Sequence, residues 1–207
     1  MQEENALDRF VRKTRGLFAS EPDLEKRWAA LAPVLAELLA DHEVQEASKD
    51  WPDCIPTDGR AENLLFFEDP EFGFAVNGLT KTPERYGARP LIHDHAHIYT
   101  LYGVLDGHER VERYERLDDR SRPDYAEVRQ VADLYVGPGE IDLVKPYEIH
   151  TEITAGERTV AVIIRSQKSG SFNQGRYDPE TNRYWESLGP RQTPCEMLPK
   201  RVEAAAR

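Results

Sequence analysis

The chain has 207 residues, enough for one domain with a full core and not clearly enough for two. Its apolar fraction of 39% and mean hydropathy of −0.68 are those of a globular protein, and no apolar run reaches the roughly 18 residues that a membrane helix needs. A formal charge of −11 argues against a nucleic-acid partner, which calls for a basic patch, and leaves small substrates open because they respond to local charge only.

The start, Met1-Gln2-Glu3-Glu4-Asn5, is acidic and polar and does not read as a signal peptide. Residues 6 to about 48 read as helical. Leu7, Phe10, Val11 and Leu17 recur at roughly helical spacing, and Trp28, Leu31, Leu35, Leu38 and Leu39 form the apolar stripe of a second amphipathic helix. Ser20-Glu21-Pro22-Asp23 is the expected break between them. The stripe is expected to pack on a sheet, with a dimerisation face as the alternative. Residues 49–60 read as loop, from Trp51-Pro52-Asp53 to Asp58-Gly59.

From about residue 62 the texture becomes β-like. Short runs occur at Leu64–Phe67, Gly73–Val76, His95–Val104, Val111–Tyr114, Val128–Val136, Glu140–Val144 and Val160–Ile164. Turn signals separate them at Asp69-Pro70, Asn77-Gly78, Asp106-Gly107, Gly137-Pro138-Gly139 and Ala155-Gly156. Many short strands at close spacing point to a barrel or jelly roll. Tyr177 to Trp185 reads as a hairpin, and Pro199 to Arg207 as a frayed helix or tail. The chain therefore divides into a helical segment (1–60), a barrel (61–175) and a C-terminal hairpin and tail (176–207), all in one structural domain. Cys54 and Cys195 lie far apart with no metal or disulfide spacing, which suits a reduced, cytoplasmic setting.

Three of the six histidines fall in Pro90-Leu91-Ile92-His93-Asp94-His95-Ala96-His97. In a strand, alternate residues share a face, so His93 and His95 would offer two imidazoles side by side to one metal. His150 follows a turn at Pro146 and re-enters a strand, from which a late barrel strand can supply the third ligand. By the same parity His97 joins His93 and His95. Three histidines in line span too far for one ion, so His97 is read as a proton carrier beside the site or as a packing residue. His108 and His42 are expected to be exposed and irrelevant. Tyr99, Tyr102 and Tyr147 are candidate pocket residues, although aromatic residues in β-runs are usually core.

These residues resemble the cupin superfamily over roughly residues 62–170. The first cupin motif runs Gly, five residues, His-x-His, three or four residues, Glu, six residues, Gly. Gly87, His93, His95 and Gly107 match it, with Thr100 where the glutamate would stand. The second motif is matched more loosely by Pro146 to His150, with Glu148 replacing glycine and Thr154 near the terminal asparagine. The resemblance implies a mainly β cupin double-stranded β-helix, a jelly-roll barrel with the N-terminal helical segment packed on it. It also implies a metal on His93, His95 and His150. A homodimer, common among cupins, is the oligomeric state it allows.

Three histidines without a carboxylate are similar to the thiol dioxygenases, the group of cysteine dioxygenase and 3-mercaptopropionate dioxygenase. That similarity implies iron(II), with zinc, manganese or nickel as alternatives, and O₂ with a small carboxylated substrate, a thiol being the leading expectation. Two departures argue against cysteine itself. Thr100 stands where some members carry the cross-linked cysteine, and Arg165 stands where the family has a tyrosine. If Ala161, Ile163 and Arg165 face inward, a guanidinium lies in the barrel, where a substrate carboxylate would satisfy it. A salt bridge to Glu148 or Glu152 is the competing role. Thr100 and Tyr102 join Arg165 as substrate-binding candidates, and His97 and Tyr99 join it as catalytic ones. Arg89 and Arg176 are further candidates for the carboxylate. Two other functions fit the motifs: a metal-dependent lyase or isomerase that needs no O₂, and a non-catalytic small-ligand-binding cupin.

Overall fold

The computed structural model describes residues 4–83, 91–156 and 158–199. Among the described residues three helices come first: α1 (Ala6–Ser20), α2 (Leu24–Leu39) and α3 (His42–Ser48). Twelve strands follow among the described residues: β1 (Glu62–Glu68), β2 (Ala75–Lys81), β3 (Ile92–His93), β4 (Thr100–Asp106), β5 (Glu109–Arg116), β6 (Val128–Val136), β7 (Ile141–Val144), β8 (Ile149–Thr154), β9 (Thr159–Arg165), β10 (Asn173–Asp178), β11 (Arg183–Leu188) and β12 (Arg191–Pro194).

The helix boundaries follow from local chemistry. Asn5 caps α1 by accepting from the Asp8 N–H at 2.9 Å. Pro22 follows the last turn of α1, and Asp23 caps α2 by accepting from the Lys26 N–H at 3.0 Å. The stripe Trp28, Leu31, Leu35, Leu38 and Leu39 is fully buried. Each of those side chains stabilises the packing by about 1.5–3 kcal/mol. The helix lies on β4, where Gly103 permits the approach: a Cβ there would stand 2.7 Å from Leu39 Cδ1.

The strands form two six-stranded sheets, β12-β1-β2-β9-β4-β7 and β11-β10-β3-β8-β5-β6. Their pairing is nested. β2 pairs with β9, β3 with β8, β4 with β7 and β5 with β6, every pair antiparallel, and successive pairs alternate between the sheets. One long hairpin wound on itself produces that order, which is the double-stranded β-helix of a jelly roll. β1 and β12 widen the first sheet, and β10 and β11 widen the second.

Three expectations from sequence need correction. Asn77-Gly78 is no turn but the buried middle of β2: Gly78 lies under the Phe66 ring, and Asn77 donates to the Leu64 carbonyl at 2.9 Å. The run His95–Val104 is not continuous, because a turn at Ala96-His97 separates β3 from β4, with Ala96 at φ 52°. A boundary at 175 falls inside β10, and β10, β11 and β12 are strands of the two sheets rather than appendages. The stretch 200–207 lies outside the described residues, as do Gly87 and Arg89. Among the described residues no helix is long and apolar enough to cross a membrane.

Candidate metal centre

Register places the site. Arg176 of β10 stands opposite His93 of β3, His93 opposite His150 of β8, and His150 opposite Arg113 of β5. Residues directly opposite across strands share a face, so these four form one rank across the inner surface of the second sheet. Glu152, two residues after His150 on β8, shares that face by alternation.

His95 reaches the same point from the turn after β3. Asp94 sets that turn: its Oδ1 accepts from the Ala96 N–H at 2.8 Å and the Gly175 N–H at 3.0 Å, and its Oδ2 accepts from the Tyr177 hydroxyl at 2.6 Å. The Tyr147 N–H donates to the Ala96 carbonyl at 2.7 Å, so the turn before His150 braces the turn that carries His95. Arg113 steadies the same region through ion pairs to Asp142 and Glu148.

His93, His95, His150 and Glu152 offer ligand atoms that all lie within 4.8 Å of one another. Three-histidine reasoning missed Glu152, so a donor set without a carboxylate is not what the chain presents. The carboxylate absent at Thr100 enters from β8 instead. The signal for it was in the sequence, since His150-Thr151-Glu152 has the same i, i+2 spacing that brought out His93 and His95.

The donors fit a transition metal. His93 Nδ1 lies 3.0 Å from the Leu91 carbonyl and His150 Nδ1 3.0 Å from the Glu148 carbonyl. A carbonyl only accepts, so both Nδ1 atoms carry a proton; Nε2 of His93 then presents a lone pair, and Nε2 of His150 would present one once the proton it shares with Glu152 is displaced. His93 Nε2 and His95 Nε2 face each other at 3.2 Å, and His150 Nε2 lies 3.1 Å from Glu152 Oε1. Burial, followed by the neighbouring His150, lowers the His93 pKa to about 3. The same two causes, and His93 itself, push His95 well below the usual imidazole range. Both rings are therefore neutral, the form that ligates. Burial disfavours charge on His150 and Glu152 too, yet their mutual attraction prevails: His150 is raised and Glu152 lowered, as an ion pair. A divalent cation would replace the proton that holds them together.

The cluster opens into a cavity of about 470 Å³ between the two sheets. Thr100, Tyr102, Ile163 and Arg165 line it from the first sheet. Arg165 is 4% exposed and donates from Nη1 to Asn77 Oδ1 at 2.8 Å and from Nη2 to Asn63 Oδ1 at 3.1 Å. The Tyr102 hydroxyl donates to Glu109 Oε1 at 3.2 Å. Lys81 Nζ lies 3.0 Å from Glu109 Oε2 and donates to the Glu152 carbonyl at 3.0 Å, which holds the backbone behind that ligand.

The remaining candidates are not brought to the cluster. Tyr99 points to the other face of the first sheet and stacks on Trp28 at 5.8 Å, because it is one residue out of phase with Thr100. His97 follows the Ala96 bend, is exposed, and contacts Gln167 Oε1 at 3.1 Å and the Phe172 ring. Strand parity misplaced it because the strand ends at His93. Tyr147 is exposed in its turn.

No protein-family model matches the chain, and no curated protein matches it. Solved structures similar to it include an oxalate oxidase in complex with the substrate analogue glycolate, at 18% identity, covering 46% of this chain and 42% of that one, with a TM-score of 0.35. The Schizosaccharomyces pombe Cnp3 cupin domain is 11% identical, with 54% and 67% covered and a TM-score of 0.38. A cupin-2 domain protein from Shewanella frigidimarina is 14% identical, with 50% and 78% covered and a TM-score of 0.35. The chain spans less than half the length of the oxalate oxidase.

Proposed function

We propose that this chain is a metal-dependent cupin oxygenase that acts on a small carboxylated substrate held in the barrel cavity. The observation that carries the reading is the convergence of His93, His95, His150 and Glu152 within 4.8 Å at the wall of that cavity. Iron(II) suits a mixed imidazole and carboxylate set; His93, His95, His150 and Glu152 would hold it, and it would supply both Lewis acidity and the redox chemistry that O₂ requires. The chain's own contribution is to fix the rings through the Leu91 and Glu148 carbonyls and to hold the backbone of Glu152 through Lys81. The similarity to thiol dioxygenases rested on a carboxylate-free site, so a thiol substrate loses its main support and a carboxylate keeps it.

Glu152 favours a second reading, a lyase or isomerase that uses zinc, manganese or nickel without O₂. Glutamate beside three histidines suits Lewis-acid chemistry of that kind, and Glu152 of β8 stands in place to provide it. One experiment separates the two. The protein is purified without chelator, its metal content measured, iron(II) reloaded anaerobically, and O₂ uptake followed over a panel of small carboxylates and thiols. Uptake with a carboxylate, abolished by His95→Ala, is the expected result. Turnover that proceeds anaerobically with zinc would establish the lyase reading instead. Metal binding with no turnover in either format would leave a ligand-binding protein.

A further inference from the structure

The cavity is cationic although the chain is acidic. Arg60, Lys81, Arg165 and Arg176 line it, against the carboxylates of Asp58 and Glu152, in a molecule of formal charge −11. The four cations are not equivalent. Lys81 is paired with Glu109, and Arg165 is held between two carboxamides. Asp58, two residues before Arg60, pairs with Arg191 at 3.2 Å.

Arg176 and Arg60 have neutral partners only. Arg176 donates from Nε to Ser187 Oγ at 3.1 Å and from Nη2 to Gln174 Oε1 at 3.2 Å. Arg60 donates from Nε to the Gly189 carbonyl at 2.7 Å and from Nη2 to the Gly170 carbonyl at 3.0 Å. Among the described residues neither makes an ion pair within 4.0 Å. The two are neighbours through Gln174, whose side chain packs against Gly189 so closely that a Cβ there would stand 3.0 Å from Gln174 Oε1. These contacts fix both guanidinium groups in place without a carboxylate in direct contact, although Asp94 and Glu152 attract Arg176 from beyond ion-pair distance. Fixed, half-buried guanidinium groups facing a cavity are preorganised for an anion. Arg176 also stands directly opposite His93 on the inner face, beside the candidate metal donors, while Arg60 and the 56–61 loop line the cavity with Leu188 at the end of β11 and Pro190 of the β11–β12 connection.

We propose that Arg176 and Arg60 together form an acid-binding clamp, and that the substrate carries a carboxylate or phosphate group set apart from its metal-binding end. This rests on the reading of the cavity as the substrate chamber. It assigns the recognition role to this pair rather than to Arg165, whose carboxamide contacts tie β9 to β1 and β2.

The test is calorimetric titration of the zinc-loaded protein with glutarate, 3-phosphonopropionate and glutaramate, in the wild type and in R176Q, R176K and R60Q. The wild type is expected to bind at least one of the two diacids about tenfold or more tighter than the half-amide, and R176Q to lose about tenfold or more of that diacid's affinity while glutaramate changes by less than about twofold. R176K, which keeps the charge and loses the fork, should fall between. R60Q should reduce the same preference. The ratio of glutarate to 3-phosphonopropionate identifies the acid. A wild type that does not distinguish either diacid from the half-amide, or an R176Q and R60Q that both keep the distinction, overturns the proposal. If the protein takes up no zinc but keeps an Arg176-dependent acid preference, the metal reading fails and the clamp stands. If zinc binds and no acid preference exists, the clamp alone fails.

Discussion

At the scale of single residues, the site depends on two carboxylates with different work. Glu152 is a donor. Glu152→Gln keeps the shape and removes the charge that draws a cation, so zinc affinity should fall by more than about tenfold with the secondary structure unchanged. Competition titration against a chromophoric chelator, with circular dichroism as the control, measures it; unchanged affinity would remove Glu152 from the site. Asp94 touches no metal but shapes the turn that delivers His95. Asp94→Ala strands two backbone N–H groups and the Tyr177 hydroxyl in the interior and should cost about 2–4 kcal/mol. It should also weaken metal binding. Tyr177→Phe removes only the hydroxyl contact and should cost about 1 kcal/mol with metal affinity retained. Urea unfolding of the metal-free variants, set beside zinc titrations, separates the two effects. Equal metal affinity in wild type and Asp94→Ala would show that the turn holds without the carboxylate.

At the scale of elements, the two faces of the first sheet have separate duties. The inner face carries Thr100, Tyr102 and Arg165 into the cavity, while the outer face carries Tyr99 and Gly103 to the helices. Gly103→Ala forces a methyl group against Leu35 and Leu39 and should destabilise the chain by about 1–3 kcal/mol through overpacking. Zinc affinity of the folded variant should match the wild type, because no donor sits on that face. A loss of metal binding at temperatures where Gly103→Ala is fully folded would mean that the helix layer and the site are coupled. Sequence and structure agree best for the helices. A 3.6-residue stripe such as Trp28 to Leu39 depends on local geometry alone, and caps at Asn5 and Asp23 are local as well. They part at Asn77-Gly78, where a strong turn signal yields to burial under Phe66, and at His95–Val104, where one continuous β-like run contains a turn held from outside by Asp94, Gly175 and Tyr147.

At the scale of the whole molecule, the candidate metal donors come from parts of the chain far apart in sequence. The turn after β3 and the strand β8 meet only when the wound hairpin has closed. A metal that binds the folded chain and not the unfolded one stabilises it by linkage. At about 100 times the dissociation constant the gain is about 2.7 kcal/mol. For a chain of this size that corresponds to a rise of about 5–10 °C in melting temperature. Scanning calorimetry with and without zinc, and after chelator, measures it, and His95→Ala should abolish the shift. A melting temperature indifferent to zinc in the wild type would mean that the four donors do not hold a metal.

The sequence by itself determined the helical layer, the succession of short strands and the three histidines, because periodicity, turn chemistry and ligand type are all local properties. It holds the fourth candidate donor as well, in the i, i+2 spacing of His150 and Glu152, at a position the cupin motif does not mark. Only the tertiary structure decided which faces meet. Strand register aligned Arg176, His93, His150 and Arg113 in one rank. A bend at Ala96 sent His97 outward while leaving His95 in, and the strands after residue 172 closed the cavity with Arg176 inside it. The physical reason is that each of these depends on pairings between segments tens of residues apart, and a one-residue change of register would reverse every side chain on the strand.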